Sequence, residues 1–411
     1  MATGQDLDEA SRLLHELLAT FQSDHFRNKA AWSFVRLAGR GAGLSEKSLQ
    51  DLLALLENPE LPLEEEEVEH AESEDSKNES VLWHPRAGAH AEGNYPVLLG
   101  LMLGLLRQQP AAHQRWLQTL TKNFERDEMP RVWLAILPSL KYLAGGDQKG
   151  GAAFIERLFA RFPSFFPTVE GVRFVAGNHH WLPSAFFHRA LAAIEVSEWR
   201  LAWRAAGELW MLRAGLFPED ESAKFRLAKV LDQLASGETS EYLIGFVTSA
   251  SETWMWPRFR ETSTKVLLAA AKGAGGEIAD AVASAFIQRE TEQLPGDSCT
   301  DDLLTAVCEN PSLLILRIDP LIDRLKELLQ KGYSAKVVGA VCRRVLENVG
   351  PRIGDIQTSY FGASRELIDI SITLQRFAET REDATWLFEQ LLAWNAYSVA
   401  ETKAILDQRM A

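Results

Sequence analysis

Helical periodicity runs through almost the whole chain and constrains the fold more than any other feature. Apolar residues recur every three to four positions, which places them on one face of a helix. Stretches that alternate apolar and polar residues over a useful length are absent, so we predict an all-α fold of about twenty helices joined by short turns. Two clear examples of the apolar stripe are Leu227, Val230, Leu231 and Leu234, and Leu367, Ile370, Leu374 and Phe377.

Residues typical of helix ends occur between these periodic stretches. Asp319 precedes Pro320, which suits a cap residue before a first-turn proline. Ser398 to Glu401 forms a capping-box pattern, and Thr380 to Asp383 forms a weaker one. Gly237 is typical of a helix end, and Pro138 inside an apolar stretch should kink or divide its helix.

The length of the chain leaves two options, either two or three globular domains or one elongated solenoid of helix pairs. It has 411 residues, of which 46% are hydrophobic, whereas a single round core stops growing at roughly 250–300 residues. Units that pack only on their neighbours escape this limit. Helix pairs follow one another at roughly 35–45 residues without an identical repeat. We therefore predict an α-solenoid of irregular HEAT- or TPR-like pairs.

Charge divides the sequence into three parts. The net charge is −14, and ten acidic residues with no Lys or Arg lie between Glu57 and Asp75. We expect N-terminal helices in residues 1–57, an acidic flexible linker or loop in 58–80, and the helical-repeat solenoid in 81–411. An acidic docking segment is the alternative to a solvated linker in 58–80.

Cysteine use and hydropathy bear on the compartment. Cys299, Cys308 and Cys342 are odd in number and fit no zinc or disulfide pattern. Cys308 and Cys342 lie among apolar residues, so buried thiols are expected at these two positions. Met1 to Leu14 is too polar for a secretory signal, and the longest apolar run, Val97 to Leu106, is too short to cross a bilayer. We predict a cytoplasmic protein without a membrane partner.

Motifs of catalysis are missing from the sequence. It contains no GxxxxGK[ST], HExxH, GxSxG or GxGxxG pattern, so we predict no catalytic residue, cofactor or bound metal. The best metal-like group is His179 and His180 with His188 and Glu208 downstream, which leaves a hydrolase or metal enzyme as the least favoured hypothesis.

Tryptophan and arginine interleave in two places. Trp199, Trp203 and Trp210 lie close to one face of a predicted helix. Aromatic faces stack on bases and guanidinium groups hold phosphates, so a groove for nucleic acid is one interpretation. The other is that tryptophans fill the interior while arginines extend outward. Together with the two histidines, the candidate binding surface is His179, His180, Arg200, Arg204, Arg213, Trp254, Trp256, Arg258 and Arg260.

Two stretches resemble a known group of proteins. They are Gly171 to Pro183 with Trp199 to Leu209, and Arg365 to Thr380 continuing into Trp386 to Glu401. Both resemble the C-terminal helical-repeat region of large bacterial STAND-type NTPases of antiphage conflict, over about residues 165–411. In such proteins an NTPase or an effector precedes the repeats, which sense a ligand or scaffold assembly. The resemblance implies no catalytic residue here.

These observations favour a non-enzymatic helical-repeat scaffold or sensor that binds a protein partner, in a bacterial antiphage defence system. The resemblance implies that this partner is an NTPase or nuclease encoded nearby. The alternative is a HEAT-like protein that binds nucleic acid through a concave strip rich in Trp and Arg.

Overall fold

Every described residue of the computed structural model belongs to a helix, a turn or a short connection. No β-strand occurs among these residues, so the prediction of an all-α fold is confirmed. Contacts divide the chain into two compact units, unit 1 (Met1–Ala202) and unit 2 (Trp203–Ala411). The described residues are 9, 12, 13, 16, 20, 29–33, 35, 36, 45–57, 80–83, 95–106, 111–126, 130–273, 275–287, 297–310, 313, 318–354 and 361–394.

Seventeen α-helices have both ends within the described residues. Further helical residues lie between positions 9 and 20, between 29 and 36, and at Leu313, which agrees with the predicted number of about twenty. The predicted linker 58–80 lies outside the described residues except for Ser80. The helices are α1 Glu46–Glu57, α2 Tyr95–Leu106, α3 Ala111–Arg126, α4 Pro130–Leu140, α5 Gln148–Arg161, α6 Val169–Asn178, α7 Ser184–Glu195, α8 Ala202–Leu216, α9 Glu221–Ala235, α10 Glu241–Thr253, α11 Arg260–Gly273, α12 Gly276–Ile287, α13 Asp297–Glu309, α14 Ile318–Gln330, α15 Ala335–Val349, α16 Phe361–Leu374 and α17 Arg381–Ala393.

Helices of unit 2 pack in two layers that alternate along the chain. One layer contains α9, α11, α13, α15 and α17, each packed on the next, and the other contains α10, α12, α14 and α16. The layers meet where α11 packs on α10 and α12, and where α15 packs on α14 and α16. Such packing of each pair on its neighbours is the solenoid-like arrangement that the periodicity predicted.

The helix pairs of unit 2 recur every 37 to 46 residues along the chain. The first residues of α9, α11, α13, α15 and α17 follow one another at intervals of 39, 37, 38 and 46 residues. Ion pairs join helices of the same layer: Arg343 of α15 binds Asp383 of α17 at 2.8 Å, and Lys326 of α14 binds Asp369 of α16 at 2.6 Å.

Unit 1 shows the same alternation. Helices α2, α4 and α6 form one packed row, and α3 packs on α5 in the other. Ion pairs join α1 to α3 through Glu46 and Arg115 at 3.0 Å, and α5 to α7 through Glu156 and Arg189. Between the rows lies a core of phenylalanines and tryptophans, in which the Phe124 ring of α3 meets Trp133 of α4 edge-on at 5.3 Å.

Local signals in the sequence have mixed outcomes. Gly237 takes a positive φ of 78° just after α9, as expected of a helix end. Asp319 lies inside the first turn of α14, and its carboxylate accepts from the Ala363 amide of α16. Thr380 is the N-cap residue of α17, as predicted, but its hydroxyl donates to the Leu374 carbonyl and makes no capping hydrogen bond to that helix. The pattern at Ser398 lies outside the described residues.

The proline in α4 coincides with a change of helix type. Pro138 lies within the last turn of α4, and the chain continues from Lys141 to Gly145 as a 3₁₀-helix. A proline lacks the N–H that would bond to the preceding turn, which weakens the α-helical pattern at this point. The structure therefore divides the predicted helix between an α-helical and a 3₁₀ part.

Candidate functional site

The candidate site is built on helix α8, nearly all of which is buried. Residues 204–215 are buried, whereas Trp203 at the start of the helix is 50% exposed. Trp199 lies before the start of α8. The prediction that it shares a helix with Trp203 and Trp210 is therefore wrong. The interpretation that the tryptophans fill the interior and the arginines extend outward is reversed at this point, since Arg204 is only 2% exposed.

Arg204 is buried because it links α8 to α10 and α12. Its Nε donates to Glu241 at 2.7 Å and its Nη2 donates to Glu277 at 2.6 Å. Glu241 is the first residue of α10, and Glu277 lies in the first turn of α12. A buried guanidinium needs such carboxylate partners, because an uncompensated charge in the interior is strongly unfavourable. This ion triad fixes the start of α10 against α8.

A second feature brings α8 and α10 together. A Cβ atom on Gly207 would overlap the Tyr242 carbonyl oxygen, and one on Gly245 would overlap the Arg204 carbonyl oxygen. The two helices therefore cross with their backbones in direct contact, which only glycine allows. One turn before Gly207, the indole of Trp203 meets the ring of Tyr242 edge-on at 6.4 Å.

The Trp203–Tyr242 pair forms one wall of a cavity of about 450 Å³ in unit 2, which we call the Trp203 cavity. Such a volume is typical of sites that bind a small molecule or a few side chains of a peptide. The opposite wall is a face of α9, and the end is closed by the first residues of α10. The lining residues are Trp203, Arg226, Lys229, Val230, Gln233, Ser240, Glu241 and Tyr242.

The charged residues of the cavity differ in how they are compensated. Glu241 already accepts from Arg204, and the Arg226 guanidinium lies 5.2 Å from the centroid of the Trp210 ring. Lys229 is exposed and makes no ion pair or hydrogen bond to any described residue. Gln233, at the other end, donates to Glu238 at 2.8 Å. The cavity therefore has an aromatic wall and a cationic rim on α9.

Three of the six members of the predicted surface in unit 2 are buried: Arg204, Arg213 and Trp254. Arg213 is 5% exposed and bonds to Asp220, which ties α8 to the start of α9. Trp254 is fully buried, and its Nε1 donates to Thr264. With Arg204, these side chains are out of reach of a partner on the surface.

The remaining members in unit 2 lie near the turn between α10 and α11. Trp256 is 48% exposed, with its ring against Phe259 at 5.7 Å. Arg258 is exposed and donates to the Leu216 carbonyl at the end of α8, and Arg260 donates to the Met255 carbonyl. Trp256 is therefore the accessible aromatic side chain of this group.

The members of the predicted surface in unit 1 divide in the same manner. His179 is 3% exposed, and its Nδ1 lies 2.7 Å from the Ala176 carbonyl oxygen. His180 and Arg200 are exposed. Adjacent histidines thus point to opposite environments, as their spacing on a helical turn suggests.

The described part of the chain offers little for other kinds of site. There, no three or more His, Cys, Asp or Glu side chains are grouped so that they could hold a metal ion. The described residues therefore give no metal-binding cluster in support of the metal-enzyme hypothesis for His179, His180 and Glu208. None of the described helices combines the length and apolarity that crossing a bilayer requires.

The fold and this site define an all-α protein with an aromatic and cationic cavity between successive helices. No protein-family model matches the chain. Comparison with curated proteins and with solved structures likewise finds no match. The functional argument therefore starts from the geometry of the cavity.

The sequence did not single out the cavity residues Arg226, Lys229 and Tyr242. The signal that was present is the spacing of Arg226 and Lys229, which are three apart and share one face of α9 with Gln233. The missing information was the orientation of α8. Its apolar residues surround the whole helix, so periodicity does not decide whether Trp203 or Arg204 faces outward.

Proposed function

We propose that the chain is a non-enzymatic helical scaffold that binds a protein partner around the Trp203 cavity of unit 2. The observation that carries this proposal is a half-exposed tryptophan held in a fixed position beside uncompensated positive charge. Tryptophan and arginine are the side chains that most often dominate the energy of protein interfaces. The ion triad of Arg204 and the contact at Gly207 hold the aromatic wall in place, so little conformational entropy is lost on binding.

The nucleic-acid alternative has weaker support from the same geometry. Arg204 and Arg213, two of its predicted phosphate ligands, are paired with carboxylates inside unit 2. Binding to a nucleic-acid backbone depends on several exposed cations acting together. The lining of the Trp203 cavity contains two cationic side chains, Arg226 and Lys229.

The resemblance of residues 165–411 to repeat regions of STAND-type NTPases supports a role in bacterial antiphage defence. On this proposal the partner is an NTPase or nuclease encoded nearby, and the chain supplies the contact surface. The HEAT-like character of the helix pairs is part of the same proposal, supported by their recurrence at 37–46 residues in unit 2.

Co-purification tests the proposed function. The full chain is co-expressed with the product of each neighbouring gene in turn, and complexes are separated by size-exclusion chromatography. We expect one product to elute with the wild-type chain and to dissociate from the Trp203→Ala variant. The Phe377→Ala variant is the matched control, because Phe377 is also an exposed aromatic residue of unit 2, 41% exposed. Failure of every neighbour to bind, or equal binding to Trp203→Ala, contradicts the proposal.

A further inference from the structure

The apolar surface at the Trp203 cavity extends beyond the cavity itself. Phe225 is 71% exposed and lies four residues before Lys229 on α9, so the two side chains are neighbours on that helix. Trp203 is itself half-exposed on the opposite wall. A ligand confined to the cavity would leave Phe225 in water, whereas an extended chain could cover both aromatic side chains.

Charge is distributed unevenly along the cavity, which favours one orientation of a bound molecule. The end formed by Arg226 and Lys229 is positive, and Lys229 has no compensating partner among the described residues. The end near Gln233 is next to the carboxylate of Glu238. An occupant with a carboxylate group is therefore favoured where that group lies beside Lys229 and away from Glu238.

From these observations we propose that the Trp203 cavity binds an acidic peptide segment of a partner protein. An apolar side chain of the peptide packs against the Trp203–Tyr242 pair, and an adjacent Asp or Glu binds Lys229. The chain of the peptide continues along α9 over Phe225. This inference rests on the proposed function and adds to it the chemistry of the partner.

Peptide selection tests this chemistry without knowledge of the partner. A random peptide library displayed on phage is selected on the full-length wild-type chain and counter-selected on a Trp203→Ala, Lys229→Glu double variant. We expect enriched peptides to contain Asp or Glu next to Trp, Phe or Leu. Enrichment of basic or uncharged peptides, or no enrichment above the counter-selected protein, overturns the proposal.

The strongest selected peptide is then labelled with fluorescein, and its affinity is measured by fluorescence polarisation. Trp203→Ala and Lys229→Glu should each weaken binding by about tenfold or more, as loss of a central anchor does. Phe377→Ala and Lys336→Glu are the matched controls, because both positions are exposed in unit 2 away from the cavity lining, and they should leave the affinity unchanged. Circular dichroism confirms that each variant is folded.

A titration with oligonucleotides tests nucleic acid, the other occupant considered for the cavity. Labelled single-stranded and duplex oligonucleotides are titrated into the same proteins at low salt, where phosphate contacts are strongest. Oligonucleotide binding that is lost in Trp203→Ala, without selection of acidic peptides, assigns the cavity to nucleic acid and overturns the inference. If acidic peptides do not bind but a neighbouring gene product still does, the inference fails while the proposed function stands.

Discussion

Single buried side chains in this protein act as connectors between helices. Arg204 is the clearest case, since its guanidinium is 2% exposed and joins the carboxylates of Glu241 and Glu277. These two carboxylates are partly exposed, at 48% and 33% of their side chains. The triad is thus buried on the arginine side alone, and its stability depends on compensation of that one charge.

Removal of both carboxylates should expose this dependence. The Glu241→Gln, Glu277→Gln double variant removes two carboxylate partners of the buried Arg204 guanidinium, so we expect a loss of about 2–4 kcal/mol in the free energy of unfolding. The amide oxygens of the glutamines still accept hydrogen bonds, which limits the loss. Urea unfolding followed by circular dichroism measures it. Glu261→Gln, which breaks the exposed pair with Lys265, is the control and should change stability little. Equal stability of the double variant and the wild type contradicts this account.

Two cysteines of unit 2 should be protected from thiol reagents. Burial raises the pKa of the Cys308 thiol to about 11. Burial also raises the pKa of the Cys342 thiol, and the nearby Cys308 raises it further. Only the thiolate is nucleophilic, so the shift for Cys308 alone lowers its reactive fraction about a hundredfold below pH 9.

Labelling with a chromogenic disulfide reagent at pH 8 tests this protection. In the folded protein at most one thiol should react within the time that a free thiol needs, and Cys299→Ser should remove that reaction. All three thiols should react in guanidinium chloride. Two fast thiols in the native protein would show that Cys308 or Cys342 is accessible.

Contact between helices depends in places on the absence of a side chain. Helices α8 and α10 cross at Gly207 and Gly245, where a Cβ atom would overlap a carbonyl oxygen of the other helix. The carbonyl belongs to the backbone of a packed helix and has little freedom to move. The pairing of these two helices, and with it the aromatic wall of the cavity, therefore depends on both glycines.

The Gly207→Ala variant should separate α8 from α10. We expect a loss of about 1–3 kcal/mol in stability, the usual cost of forcing extra atoms into a packed interior. Gly177→Ala is the control: Gly177 is exposed in α6 with no atom within 4 Å of the added methyl group. That change should be neutral or slightly stabilising, because alanine favours the helix. Thermal melts of the two variants distinguish them, and similar melting temperatures would contradict the close crossing.

Over the whole chain, charge and helix packing are separate properties. Ten of the acidic residues lie between Glu57 and Asp75, a stretch without Lys or Arg, whereas the two units are built from packed amphipathic helices. The composition of residues 58–80 is too polar to bury much surface. The sequence therefore predicts that this segment contributes little to the stability of the fold.

Deletion of residues 60–78 tests this prediction. We expect the melting temperature to stay nearly unchanged, because few apolar contacts are removed. Differential scanning calorimetry measures it, and a variant with a Gly/Ser segment of the same length controls for the change in connection. A large fall in the melting temperature in both variants would show that the acidic stretch packs against the rest of the protein.

The sequence by itself determined the class of fold, because helix-forming periodicity is a local property. The stripe at Val230 and Leu234 is buried, and Leu374 is fully buried, as their spacing indicates. Phe377 lies beyond the end of α16 and is exposed, so the same stripe is correct only as far as the helix extends. Helix ends depend on contacts as well as on spacing.

The tertiary structure alone decided which polar and aromatic side chains face outward. Helix α8 has apolar residues on all sides, so its orientation is set by partners that are distant in the sequence: Glu241, Glu277 and the glycine at 245. Those partners turn Arg204 inward and leave Trp203 at the surface, where it forms the cavity with α9 and α10. A pattern of spacing within one helix holds no information about such distant contacts.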